Sequence, residues 1–101
     1  MPTVVILAGA ENDTLTLFAK LEARNPDSAD EFYRDFEEAL QQLSKHAESA
    51  PLFVGRVRRL VMHGYPFGVF FTVEGDRLFV QAVLDLRQSP ESIRRRLDEH
   101  L

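Results

Sequence analysis

Apolar residues recur along this chain with two different periods, and the change from one to the other divides it into recognisable elements. Thr3–Leu7 (TVVIL) is a continuous β-branched run, as expected of a strand buried on both faces or near the centre of a sheet, and Gly9 breaks it. From Asp13 the spacing becomes helical: Leu15, Phe18 and Leu21 fall on one face, with Asp13 as the expected N-cap. Asn25-Pro26 ends this helix near Arg24, because the residue before a proline is pushed out of the helical region. Ser28 and Glu31 have the spacing of a capping box and open a second helix. Phe32, Phe36, Leu40 and Leu43 then form a single stripe, widened by Ala29 and Ala39, while Glu31, Arg34, Asp35, Glu38, Gln41 and Gln42 lie mostly off it. Two helices joined by so short a link are expected to pack antiparallel.

The second helix gives out near His46, and Ala47–Gly55 reads as a loop. Three strands follow, at Arg56–His63, Phe67–Val73 and Arg77–Leu86. Gly64-Tyr65-Pro66 joins the first two, and Glu74-Gly75-Asp76 joins the last two, its glycine free to take a positive φ. Strict alternation sets Val69, Phe71 and Val73 opposite Phe70 and Thr72. It likewise sets Leu78, Val80, Ala82 and Leu84 opposite Phe79, Gln81, Val83 and Asp85. Ser89 and Pro90 then cap and start a closing helix over Glu91–Leu101. The pattern predicts a single α+β domain over residues 1–101 in the order β-α-α-β-β-β-α. In it, an N-terminal strand and an antiparallel helical hairpin pack on a mostly antiparallel four-stranded sheet, with a short C-terminal helix.

Charge adds an asymmetry that the pattern does not show. The formal net charge is −4, which argues against a surface made for generic nucleic-acid binding. Residues 1–51 carry 4 Lys/Arg against 10 Asp/Glu, whereas residues 52–101 carry 8 Arg, no Lys and 6 Asp/Glu. Arginine suits bidentate recognition of carboxylate or phosphate. Arg56, Arg58, Arg59, Arg77 and Arg87, on or beside the three strands, are therefore the candidate binding residues. The absence of cysteine excludes disulfides and thiolate chemistry and fits a cytoplasmic location. No apolar run approaches the length of a membrane span, and Val4–Ala8, without a basic flank, is too short for a secretory leader. His46, His63 and His100 are scattered, and no phosphate-cradling glycine motif or nucleophile elbow is present, so neither a metal nor a cofactor is expected.

In this setting several stretches resemble the ParE/RelE superfamily of bacterial type II toxins, on the ParE (plasmid-stabilisation) side. They are Val57-Arg58-Arg59-Leu60, Tyr65-Pro66-Phe67-Gly68-Val69-Phe70-Phe71, Val73-Glu74-Gly75-Asp76 and Val80-Gln81-Ala82-Val83-Leu84, with Arg87 and Pro90 after them. Ala10, Asp13 and the Asn25–Ala29 link match more weakly. The resemblance implies a helical hairpin on a twisted sheet, and a toxin neutralised by a cognate, ParD-like, DNA-binding antitoxin in a hetero-oligomer. The toxin chain itself would bind no specific DNA. ParE-like members are associated with inhibition of DNA gyrase, and RelE-like members with cleavage of messenger RNA on the ribosome. The chain departs from the family in carrying Asp85 where a histidine is common, Gln88 where an arginine is common, and Thr14 where a leucine is frequent.

Three functions are thereby set against one another. The leading expectation is a toxin that acts by protein contact with gyrase and has no catalytic residues. Its target or partner residues would be Arg56, Arg58, Arg59, Tyr65, Arg77, Asp85 and Arg87, and Phe18, Phe70 and Phe79 would line the antitoxin groove. A ribosome-dependent nuclease is the alternative, with Arg58, His63 and Arg87 as its candidates. It must neutralise a phosphate and move protons, yet no lysine follows Lys45 and no tyrosine follows Tyr65. A diverged, non-toxic member serving as antitoxin partner and co-repressor is the third, suggested by Asp85 and Gln88.

Overall fold

The computed structural model describes residues 2–98. Strand β1 (Thr3–Ile6) leads into helices α1 (Ala8–Arg24) and α2 (Pro26–His46). A 3-10 turn at Ala47–Ser49 precedes strands β2 (Leu52–Val54), β3 (Val57–Val61), β4 (Phe67–Glu74) and β5 (Arg77–Asp85), and helix α3 (Pro90–Asp98) follows. The strands form one sheet in the order β1-β5-β4-β3-β2, with β1 parallel to β5 and the other neighbours antiparallel. The hairpin of α1 and α2 covers one face and α3 part of the other, which makes the fold α+β as expected.

The strongest periodic signal in the sequence is realised directly: Ala29, Phe32, Phe36, Ala39 and Leu43 are buried along α2. Their partners in the main core are Val69 and Phe71 of β4 and Leu78, Val80 and Val83 of β5. Phe32 is its aromatic hub, edge-on to Tyr65 and Phe67 at 6.0 and 5.6 Å. The turns between β2 and β3 and between β4 and β5 place Gly55 and Gly75 at φ +53° and +61°, where a side chain is strained. At the last helix Ser89 Oγ accepts from the Ser92 N–H, and Pro90 takes the first turn.

Several expectations need correction. The sheet has five strands, because Leu52–Val54 pairs with β3. A three-residue apolar run carries no periodicity, so it read as part of a loop. β1 is an edge strand, with Thr3 and Ile6 exposed, and is not buried on both faces. Helix α1 begins at Ala8 with no side-chain cap; Leu7, extended and bonded through its N–H to Val80 O, sets its start. Asp13 therefore lies inside the helix. The cap of α2 is Asn25, whose side chain accepts from the Asp27 N–H, with Pro26 in the first turn; Ser28 is already helical. Arg56 sits in the β2–β3 turn and not on a strand. The expected end of the last helix, Glu99–Leu101, and His100 with it, lie outside the described residues.

One irregularity reorganises the last strand. Phe70 pairs with Ala82 but Phe71 pairs with Val80, leaving Gln81 as a bulge. Alternation is reset there: Val83 joins Leu78 and Val80 under the helical hairpin, while Ala82 and Leu84 turn toward α3. The two-face division predicted for Arg77–Leu86 thus holds only up to the bulge.

Candidate functional site

The candidate arginines do not converge. Arg56 and Arg77 lie at the end of the sheet where β4 turns into β5, and Asp85 and Arg87 lie at the other end of β5. At about 3.4 Å per residue, the eight steps from Arg77 to Asp85 separate the two ends by about 27 Å. No single phosphate or carboxylate spans that distance. Four of the five also have a local occupation. Arg56 is 3.6 Å from Glu74 Oε1. Arg58 Nη1 donates to Ala50 O at 2.7 Å and to Glu48 O at 3.2 Å, fixing the chain that enters β2. Arg59 lies over the Phe53 ring at 5.4 Å. Arg87 grips Asp85 bidentately, Nε to Oδ1 at 3.0 Å and Nη2 to Oδ2 at 2.7 Å. Those bonds hold the Asp85 carboxyl below its ordinary pKa, with Lys20 adding to the effect, and the same Asp85 carboxylate raises the pKa of Arg87.

The remaining polar candidates are structural in their contacts. Tyr65 donates its hydroxyl to Ser28 O at 3.1 Å and stacks on Phe67. Its phenol is pushed above the ordinary value, chiefly by burial and then by the Glu31 and Asp35 carboxylates. His63 is exposed in the turn after β3. Arg58, His63 and Arg87 share no common focus: Arg58 is spent on backbone carbonyls and Arg87 on Asp85. Among the described residues no group of three or more His, Cys, Asp or Glu is placed to hold a metal. No described helix is long and apolar enough to cross a membrane.

The three aromatic groove residues also separate. Phe70 is completely buried beneath α3, where Phe53 packs edge-on against it. Phe79 is half-buried, paired with Thr72 on one side and Val5 on the other. Phe18 belongs to a different surface. It is half-buried on α1 and meets Tyr33 of α2 edge-on at 6.1 Å. Around that pair Leu15 is 60% exposed, Tyr33 48% and Ile6 37%. Two adjoining depressions share Leu15, Phe18 and Tyr33: one runs toward Ile6 and Phe36, and the other toward Asp30 and Arg34. This is a continuous apolar face across the helical hairpin and the tip of β1, with charged residues at its border.

Leu15, Tyr33 and Ile6 were not among the residues picked out by sequence reasoning. Leu15 shares a face with Phe18 and so looked like core, whereas Tyr33 follows Phe32 and sits beside the buried stripe. A wide apolar helix face only partly covered by a sheet was the available signal.

Asp13 was likewise misread. β1 stops at Ile6, opposite Val80, so the outer edge of β5 continues without a neighbouring strand. There Asp13 Oδ2 accepts the Val83 N–H at 3.0 Å, and Oδ1 accepts Arg96 Nη1 of α3 at 2.8 Å. One carboxylate, 16% exposed, thus ties together the hairpin, the sheet edge and the helix on the opposite face.

No protein-family model matches the chain, and no curated protein does. Among solved structures, a chain of "Chromosomal ParDE TA system from P. aeruginosa" superposes with a TM-score of 0.77 at 21% identity. The match covers 86% of this chain and 98% of that one. Over the part of the chain that superposes, the fold described above is thus shared with a chain of a ParDE structure, and at the level of the fold the resemblance carried by residues 57–90 is borne out.

Proposed function

We propose that this chain is the toxin component of a type II toxin–antitoxin module, held inactive by a cognate ParD-like antitoxin and acting by protein contact in the cytoplasm. The observation that carries the reading is the unpartnered apolar face of Ile6, Leu15, Phe18 and Tyr33 on a fold shared with a ParDE chain. Such a face suits an amphipathic segment of a partner laid across the helical hairpin. DNA gyrase is the proposed target. The nuclease alternative lacks support from the geometry, since its arginines and histidine share no focus and Tyr65 is tied to Ser28. The Asp85 carboxylate occupying Arg87 favours a second reading, a non-toxic member retained as antitoxin partner and co-repressor.

Induction of the chain alone is expected to halt growth, and the purified protein to block gyrase supercoiling. Co-expression of the antitoxin from an adjacent short reading frame restores growth. Replacing Leu15 or Tyr33 with glutamate should abolish that rescue while leaving toxicity intact. Cleaved messenger RNA on ribosomes would instead establish the nuclease. Growth indifferent to induction, with tight antitoxin binding, would establish the co-repressor.

A further inference from the structure

At the Asp85 end of the sheet a small cleft opens between α1 and β5. Leu17 and Leu21 give it an apolar wall, and Lys20, Arg24 and Arg87 stand around Asp85 at its mouth. Lys20 and Arg24 are one helical turn apart on α1 and exposed, and neither has an ion-pair partner among the described residues. Arg87, its side chain 69% exposed, has its planar fork on a carboxylate already. Three cations thus surround one anion on a molecule whose net charge is −4. At 100° per residue, Lys20 and Arg24 face a different side of α1 from Leu15 and Phe18, so this site does not depend on the toxin reading.

We propose that this cleft docks an acidic peptide segment by carboxylate exchange. A carboxylate of the peptide takes the Arg87 fork from Asp85, and a second one bridges Lys20 and Arg24. Asp85 acts as an internal stand-in for the ligand. The exchange itself is nearly balanced, because one exposed Arg–carboxylate pair replaces another. The net gain comes from the two helix cations, which have no ion pair to give up, and from steering an acidic segment to a basic recess of an acidic protein. The apolar wall favours a peptide over an inorganic anion. A nucleic acid is disfavoured: Phe67, the aromatic residue bordering the cleft, is only 4% exposed and presents no face for base stacking.

The test uses the full chain, titrated with hexaglutamate and followed by backbone and Arg Nε resonances, with hexalysine, inorganic phosphate and an oligothymidylate as comparison ligands. Hexaglutamate should shift Lys20, Arg24 and Arg87 together. Arg87→Ala should weaken binding about tenfold, because it removes the fork and leaves the Asp85 carboxylate unneutralised against the acidic peptide. The double variant Lys20→Ala/Arg24→Ala, on an exposed helix face, should weaken it similarly and serves if Arg87→Ala does not fold. Asp85→Asn should tighten binding, because it removes the competitor without removing a cation. Unchanged or weaker binding by Asp85→Asn overturns the exchange. Phosphate or the oligothymidylate binding as tightly as hexaglutamate overturns the peptide assignment.

Discussion

Against one face of the sheet, α1 and α2 bury Phe32, Phe36 and Leu43 on Val69, Phe71, Leu78 and Val80. Against the other, α3, nine residues long, buries Ile93 and Leu97 on Val57, Phe70 and Ala82. The first interface is long and aromatic, and the buried Thr14 of α1 donates its hydroxyl within its own helix, to Ala10 O at 2.6 Å. Beyond α3 the second face carries the buried pair Thr72 and Gln81, with Gln81 Nε2 donating to Thr72 Oγ1 at 3.1 Å. A helix of this length does not persist without tertiary support. Its support is two apolar side chains and the Arg96–Asp13 pair that reaches around the sheet edge. One sheet therefore carries a layer that defines the domain and a second layer that is separable from it.

The strongest way to break this comparison is Phe32→Ala. Phe32 is fully buried among Phe36, Tyr65 and Phe67, so its loss should cost about 3–5 kcal/mol in denaturant unfolding and destabilise both layers together. Selective loosening of the hairpin with a normal unfolding midpoint would contradict the hub role.

A smaller and more local effect is expected at Asp13. Asp13→Ala leaves the Val83 N–H and the Arg96 guanidinium without their acceptor, at about 1–3 kcal/mol. Its signature is faster amide exchange in α3 and at Val83, with α2 amides still protected. If α2 and α3 lose protection in parallel, the two layers are not separable.

The smallest effect lies at the end of β5. The Asp85 carboxyl has its folded pKa lowered by Arg87, so the pair contributes stability above the ordinary aspartate value of 3.8 and loses it as pH falls through the lower, folded value. The difference in melting temperature between the wild type and Asp85→Asn should accordingly be present at neutral pH and close below about pH 3.8. A difference that does not narrow as the pH falls below 3.8 would mean that the pair acts through packing and not charge.

Local signals in the sequence transferred well to the structure. The α2 stripe, the Ser89-Pro90 start of α3 and the glycine turn before β5 are decided by neighbours within a few residues, and all appear as read. What sequence reasoning missed is set by distant parts of the chain. The edge position of β1 depends on β5, the bulge at Gln81 on the facing strand, and the pairing of Leu52–Val54 on β3. Asp13 looked like a cap because caps and sheet-edge acceptors use the same short carboxylate. Among the site candidates, the arginines were legible as a residue type but not as a constellation, since β5 holds its two ends far apart. The hairpin's apolar face was legible only through Phe18, with Leu15 placed on the same helix face as core and Tyr33 assigned no role.

The pairing of β1 with β5 has a consequence for how the chain is made. β1 is synthesised before the other strands of the sheet, yet its hydrogen-bonding partner is β5, with Thr3 opposite Arg77. For a contact across about seventy residues, closure entropy must be met before the pairing is rewarded. The helical hairpin and the β4–β5 ribbon are assembled from neighbouring segments, and so precede it. Docking of β1 then brings the Leu7 and Asp13 bonds to β5 into place together. A nascent chain stalled before β5 is therefore left with β1 unpaired, and completion of the sheet waits on the last of its strands to be synthesised.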